Sequence, residues 1–205
     1  MLFEDTYRTI TAPAEGLFKD RGSKFLAFVY PIESEADVKK LLEPLKKEHF
    51  KANHHCFAFR LGQDRTNFRV NDDGEPSGSA GRPILNVLLS SDVTNVLAVV
   101  VRYFGGTLLG VPGLINAYKS ATQEALAHAT IVEKTVNEVY RVRFAYELMN
   151  EVMKVVKEFD LRIVEQHFDN ECEVVLSFRK TLTNQVLGKL EKIEEATVQY
   201  LGLGR

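Results

Sequence analysis

The chain has 205 residues, of which 45% are hydrophobic and 26% are charged, and these are ordinary proportions for a folded protein. They exclude collagen, coiled coils and wholesale disorder. The formal net charge is −2, whereas proteins that live on duplex DNA usually carry a strongly basic balance.

The sequence predicts a cytoplasmic protein that does not enter a membrane. Two of the first five residues are acidic, whereas a signal peptide begins with basic residues and continues with an apolar segment. The longest aliphatic run, residues 96–101, has six residues, and a membrane span needs about 20. The two cysteines, Cys56 and Cys172, form neither a disulfide framework nor a C-x-x-C pair, which indicates a reducing compartment.

The first part of the chain is rich in loops, and we predict a domain over 1–131. Its predicted elements are strands over 7–10 and 24–30, a helix over 36–50, strands over 54–61 and 67–71, a short helix from Pro83, a buried strand over 93–104, and a helix from about 114 to 129. Pro44 lies inside the first helical pattern and is expected to kink or interrupt it.

The second part, 132–205, alternates strands and helices regularly. The predicted strands are 138–145, 162–168, 172–178 and 197–201, and the predicted helices are 147–159 and a segment capped by Thr181 or Thr183 that ends near 192. The resulting order βαββαβ is the ferredoxin-like arrangement. The sequence therefore predicts an α+β protein of two domains.

The loop over 71–83 combines turn formers with three carboxylates, Asp72, Asp73 and Glu75. These carboxylates could hold Mg²⁺, because hard cations prefer oxygen ligands. Ser77, Ser79, Arg82 and the backbone amides at the start of the next helix could instead form an anion-binding nest. A plain solvated turn is the third interpretation.

A second constellation follows the buried strand over 93–104. Arg102 lies near the end of the strand, and Gly105 and Gly106 then lead into a helix. The free N–H groups of a helix start favour an anion, and a nearby arginine favours phosphate. The alternative is that the glycines only allow tight packing and that Arg102 pairs with Asp72 or Asp73.

Neither a metal nor another cofactor is predicted. His54 and Cys56 are the pair in segment 54–56 that could share an ion, and a structural zinc site needs four ligands.

Basic and aromatic residues interleave along the predicted sheet of the first part of the chain. These side chains could stack on bases and contact phosphates, or they could be ordinary core aromatics with solvated charges. The residues are Lys24, Phe25, His55, Phe57, Phe59, Arg60, Phe68 and Arg69.

Three segments resemble the Impact family in its bacterial, YigZ-like form. They are 53–56 (Asn-His-His-Cys), 71–76 (Asn-Asp-Asp-Gly-Glu-Pro) and the stretch from 81 to 110 that contains Arg-Tyr-Phe-Gly-Gly. The resemblance implies an N-terminal α/β domain like the second domain of a small-subunit ribosomal protein, and a C-terminal domain like the last domain of EF-G. It also implies a link to translation, because eukaryotic family members act in translational control.

From the residues and the resemblance together, we predict a translation-associated regulatory protein that binds RNA or the ribosome. The residues predicted to contact RNA or phosphate are Arg60, Arg69, Arg82, Arg102, Gly105, Gly106, Lys119 and His55, the last by stacking on bases. Two alternatives remain open at this point. One is an enzyme that acts on a phosphorylated small molecule or nucleotide with a divalent metal held by Asp72, Asp73 and Glu75. The other is a protein-interaction module, and no protein partner or catalytic residue is assigned.

Overall fold

The computed structural model describes residues 5–63, 66–169 and 171–204. Residues 1–4, on which the localisation prediction partly rests, lie outside this set. The chain divides into two compact units: Tyr7–Lys134, called the first unit below, and Asp5, Thr6 and residues 135–204, called the second unit. No helix in the described part of the chain is both long and apolar enough to cross a membrane.

The first unit contains strands and helices that follow one another in mixed order along the chain. The strands are β1 (Thr6–Ile10), β2 (Ala14–Asp20), β3 (Ser23–Pro31), β4 (His54–Leu61), β5 (Asn67–Asn71), β6 (Val96–Tyr103) and β7 (Ile131–Thr135), and the helices are α1 (Glu35–Glu48), α2 (Gly81–Ser90) and α3 (Gly110–His128). Five of these strands form one sheet in the order β2-β3-β6-β4-β5, with antiparallel neighbours throughout, and β1 pairs with β7.

Strand β6 is the centre of the first unit because both of its faces are buried. Ala98 and Val100 pack against α2 and α3, whereas Leu97 and Val99 pack on the opposite face, which α1 covers. Successive side chains of a strand point to opposite faces, so a continuous run of aliphatic residues can serve two cores. The predicted buried strand is confirmed in this position.

Helix α1 differs from its prediction at Pro44. The helix runs from Glu35 to Glu48 with Pro44 inside it. Pro44 is exposed to solvent, so the backbone group that loses its intrahelical partner can bind water. The predicted interruption is wrong, whereas the predicted kink stays a prediction.

The second unit has the predicted βαββαβ order. Its elements are β8 (Asn137–Ala145), α4 (Met149–Glu158), β9 (Arg162–Phe168), β10 (Glu171–Arg179), α5 (Thr183–Leu190) and β11 (Thr197–Leu203), with a short 3-10 turn before each helix. The sheet order is β11-β8-β10-β9, and all neighbours are antiparallel. One face of the sheet packs with α4 and α5 around a single apolar core. The α+β fold is confirmed.

Asp5 anchors the start of the described chain to the second unit. Its two carboxylate oxygens each accept a hydrogen bond of 2.9 Å from Arg179, and the Thr181 hydroxyl donates to Oδ2 at 2.7 Å. Its carbonyl oxygen accepts from the N–H of Val136. Thr183 donates to Glu138 at 2.6 Å, and α5 has no side-chain cap. The predicted capping role of Thr181 or Thr183 is therefore wrong.

We expect the contribution of Asp5 to stability to disappear in acid. Hydrogen bonds from Arg179 hold the pKa of Asp5 below its ordinary value of 3.8. The stabilisation is therefore complete above pH 3.8 and is lost as the pH falls through the lower pKa of the folded protein. An Asp5→Asn variant should be less stable than the wild type near neutral pH, and the difference should vanish in strong acid, as measured by urea unfolding across a pH series. A difference that does not change with pH would contradict this.

Candidate functional site

A buried polar cluster of the first unit lies where β6 ends. Arg102 is 5% exposed, and its Nη1 donates to Oε1 of Glu75 at 2.6 Å. The Tyr118 hydroxyl, from α3, donates to the same oxygen at 2.6 Å. Two opposite charges are thus removed from water together, and a third group donates a second hydrogen bond to the same carboxylate oxygen.

The loop between β5 and α2 brings Glu75 to this position. The Asp72 carboxylate accepts hydrogen bonds from the N–H groups of Gly78, Ala80 and Gly81 at 2.8, 3.2 and 2.7 Å. Asp73 accepts from the backbone N–H of His55 at 2.6 Å. These hydrogen bonds hold the loop around the carboxylates of Asp72 and Asp73. The next carboxylate, that of Glu75, is then directed into the interior.

The predicted anion nest and the predicted acidic cluster both fail for this reason. Asp72 itself occupies the amides at the start of α2, and the three carboxylates are each committed to different partners. Within residues 5–63, 66–169 and 171–204, no three His, Cys, Asp or Glu side chains gather in a way that could hold a metal ion. The metal-dependent enzyme alternative loses its ligand set.

Arg102 is not the open phosphate ligand that the sequence predicts. Its partner is Glu75, rather than Asp72 or Asp73, and the ion pair is buried. Its guanidinium carbon lies 5.5 Å from the ring centroid of Phe25 and 5.7 Å from that of Phe104. The guanidinium is therefore held between two aromatic rings, with its charge compensated.

Two more predicted contacts are buried. Arg60 is 8% exposed, lies 3.6 Å from a carboxylate oxygen of Asp92 and donates to the carbonyl of Val93. His55 is equally buried, and its burial lowers its pKa. Neither side chain is placed to contact RNA, because β4 carries both of them into the interior.

The glycine turn has a packing role. A Cβ on Gly105 would lie 1.9 Å from the carbonyl carbon of Gly22, so the two loops touch backbone to backbone. The N–H of Gly105 donates to the Ser23 hydroxyl at 3.1 Å, which leaves that amide unavailable to a phosphate. Gly106 is exposed and has a φ of +88°, which favours glycine.

The remaining predicted cations are exposed but lie on two faces of the sheet. Arg82 is on α2 and Lys119 is on α3, the two helices that cover one face. Arg69 pairs with Phe59 and lies beside Lys39 and Lys46 of α1, on the opposite face. The structure therefore does not bring these three residues together.

A cavity of about 380 Å³ opens above the Arg102–Glu75 pair, and we call it the Arg102 cavity. His54, Glu75 and Arg102 form its polar floor, and apolar residues form its wall. The wall includes Phe104, Leu108, Leu109, Val111 and Leu114. Leu108 is 82% exposed and Phe104 is 45% exposed, so the mouth of the cavity is an apolar surface.

Sequence reasoning missed several members of this site. Tyr118 follows the apolar pattern of α3, and this pattern predicts a core residue rather than a member of a polar site. Arg21 donates to the carbonyls of Leu108 and Leu109 at 3.4 and 3.1 Å, and places a positive charge beside the cavity. Cys56 donates from Sγ to the carbonyl of Asp72 at 3.0 Å, and burial raises the pKa of this thiol to about 12. No sequence spacing connects these residues, because the sheet brings them together from distant segments.

The comparison with known proteins points to the unit that contains the cavity. Residues 21–126 match the Impact N-terminal domain family, a little over half of the chain, and this segment includes all residues that line the Arg102 cavity. The chain belongs to the Impact family.

Relatives of similar length support this assignment. The IMPACT family member YvyE of Bacillus subtilis is 30% identical over 204 residues, which cover 96% of this chain and 94% of that protein. The IMPACT family member YigZ of Escherichia coli is 29% identical over 194 residues, which cover 94% and 95%. A crystal structure of a protein described as hypothetical superposes with a TM-score of 0.71 at 27% identity, over 99% of this chain and 100% of its own. The resemblance stated from the sequence is confirmed.

The contribution of the Arg102–Glu75 ion pair to the stability of the protein can be tested by mutation. Glu75→Gln leaves a buried guanidinium without a counter-charge, and we expect the free energy of unfolding to fall by about 3–5 kcal/mol. Tyr118→Phe removes one hydrogen bond from the same carboxylate and should cost about 1–2 kcal/mol. Urea unfolding followed by circular dichroism measures both. Equal, small effects would show that the pair does not stabilise the first unit.

The close backbone contact between the loops at Gly22 and Gly105 gives a second test of what stabilises the first unit. Gly105→Ala forces the two loops apart, and we expect a loss of about 2 kcal/mol or more. The control is Gly188→Ala in α5, where nothing lies within 4 Å of the added Cβ and where removal of a helical glycine should stabilise by about 0.5–1 kcal/mol. Thermal unfolding of the two variants should shift in opposite directions, and a wild-type melting temperature for Gly105→Ala would refute the role assigned to this glycine.

Proposed function

We infer that this Impact-family protein acts in translational control by binding RNA or the ribosome. The observation that carries the inference is the family match over residues 21–126, together with the translational role that membership in this family implies. A cytoplasmic location, expected from the sequence, belongs to the same proposal.

The geometry supports a revised set of RNA contacts. Arg82 and Lys119 are exposed on the helical layer formed by α2 and α3. The side chain of Arg21 is half exposed beside the loop that lines the Arg102 cavity, and its Nε lies 3.5 Å from a carboxylate oxygen of Asp20. In this proposal, these three cations contact phosphates, and Arg60, Arg102 and His55 are internal residues.

The sheet of the second unit has a different character. On its open face, Arg141 and Arg143 of β8 both pair with Glu173 of β10, at 2.9 and 2.8 Å. The aromatic residues Tyr140 and Phe178 lie on the core side and stack on each other. RNA-binding sheets of this topology present aromatics on the open face of the two central strands. We therefore place RNA contacts on the first unit.

A second function is favoured by a specific observation. Phe104, Leu108 and Val111, which line the Arg102 cavity, are all 45% exposed or more. An exposed apolar patch is the mark of a protein-interaction module, so a protein of the ribosome is the alternative partner to RNA.

The proposal is tested by fluorescence anisotropy with labelled single-stranded and structured RNA across a salt series. We expect an affinity that falls with salt, since each phosphate that the protein neutralises releases counterions. Arg82→Ala with Lys119→Ala should weaken binding and reduce the salt slope by about 1 for each phosphate that is no longer neutralised.

Arg69→Ala is the matched control, because it removes an exposed arginine from the opposite face of the sheet. It should leave binding unchanged. Absence of any salt-dependent affinity would count against RNA binding, and a ribosome association that survives nuclease would favour the protein-interaction alternative.

A further inference from the structure

Strand β5 forms one edge of the five-stranded sheet of the first unit. It pairs with β4 on one side, and no other strand in the described part of the chain pairs with it. Residues 67–70 are all exposed. Proteins usually protect such an edge with a proline, a bulge or charged side chains. Strand β5 contains no proline, its register with β4 is continuous, and Arg69 is its single charged residue.

The two faces of β5 differ in chemistry. Arg69 is the partner of Phe59, a member of the apolar cluster that α1 covers, so Arg69 lies on the α1 face. Val70 is the partner of Ala58, which packs in the core beneath α2 and α3, and Phe68 shares this face. Phe68 is 50% exposed and Val70 is 38% exposed. The edge therefore offers a cation on one face and two apolar side chains on the other.

A groove of about 290 Å³ lies between β5 and α1, and we call it the β5 groove. The buried side chains of Phe57 and Phe59 contribute apolar surface to it. The charged residues that line the groove are Glu35, Lys39, Glu43, Lys46 and Arg69.

The two acids of the β5 groove already have partners, whereas two of its cations do not. Glu35 accepts a hydrogen bond of 3.3 Å from a side-chain amide of β5, and a carboxylate oxygen of Glu43 lies 3.8 Å from Nζ of Lys39. Among the residues that the structure describes, neither Lys46 nor Arg69 has a carboxylate partner. The groove can therefore accept further negative charge.

A strand added beside β5 would present its side chains alternately on these two faces, because side chains of paired residues lie next to each other on the same face. One set would contact Phe68 and Val70, and the other would lie near Lys46 and Arg69. The complementary strand is one in which apolar and acidic residues alternate. Main-chain hydrogen bonds supply affinity in this mode of peptide binding, and the alternate side chains supply specificity.

We propose that the edge of β5 binds an extended segment of a partner protein, with alternating apolar and acidic residues, as a sixth strand of the sheet. The residues involved neither line the Arg102 cavity nor belong to the proposed RNA contacts, so the proposal goes beyond the proposed function. A second copy of β5 fits this edge less well. Antiparallel pairing centred on Arg69 would place two guanidinium groups opposite each other, and like charges in this position destabilise a sheet.

The test uses the full chain and a short, fluorescein-labelled peptide in which valine and glutamate alternate. Fluorescence anisotropy should show saturable binding of this peptide. The same peptide with lysine in place of glutamate should bind about tenfold more weakly or worse, because favourable charge contacts are replaced by repulsion.

Methylation of the peptide backbone distinguishes strand addition from attraction between charges alone. In an extended strand, the N–H groups of successive residues point to opposite edges. One peptide is N-methylated at its valines and a second at its glutamates. The peptide whose methyl groups face β5 should not bind, and the other should bind like the parent. Both keep the same charge and the protein is unaltered, so a loss of binding cannot result from misfolding.

Two exposed cations give the variant on the protein side. Lys46→Gln combined with Arg69→Gln should weaken binding of the glutamate peptide by about two- to fivefold for each charge removed. The matched control is Lys119→Gln, which removes an exposed cation of α3 on the other face of the sheet, and it should bind like the wild type. Circular dichroism checks that the variants are folded.

Three outcomes would overturn the proposal. The first is failure of the glutamate peptide to bind, and the second is equal binding of the two methylated peptides. The third is a dimer of the unliganded protein in sedimentation that Phe68→Asp converts to a monomer, because a second copy then covers β5. None of these outcomes bears on RNA binding, which the proposed function assigns to other residues.

Discussion

The buried pair of Arg102 and Glu75 is the constraint on which the rest of the first unit depends. Removal of either charge from water is expensive, and each is tolerated because the other lies 2.6 Å away. The pair joins the end of β6 to the loop that precedes α2, and Tyr118 extends the interaction to α3. Three elements that are distant in the chain are therefore held at one point, and the Arg102 cavity opens above that point.

This arrangement changes what the site can recognise. An uncompensated arginine above a glycine turn would attract phosphate by its charge. The observed floor carries one positive and one negative group, and the two charges compensate each other. The positive charge beside the cavity comes from Arg21, a residue that lies far from the cavity motifs in sequence.

The sequence predicts the strongly periodic parts of this fold and misses the parts that depend on tertiary contacts. The βαββαβ order and the buried β6 follow from apolar spacing alone. Strand β2 escapes prediction because Gly16 is unusual in a strand; here a Cβ would lie 2.3 Å from the backbone nitrogen of Ala125, so the glycine allows β2 to touch α3. The partner of Arg102 escapes prediction for the same kind of reason. The path of the loop depends on a positive φ at Asp73 and on amides that Asp72 binds, and no local pattern shows which acid turns inward.

The anchoring of Asp5 makes the second unit discontinuous in sequence. Its main body starts at Thr135, yet the Arg179 guanidinium, the Thr181 hydroxyl and the Val136 amide all bind a residue from the other end of the polypeptide. A fragment prepared by cutting at the apparent junction near 131 would carry these three donors without their natural acceptor. Preparation of the second unit on its own, with these donors bound, therefore requires a permuted or tethered N-terminal segment that supplies Asp5, rather than a single cut.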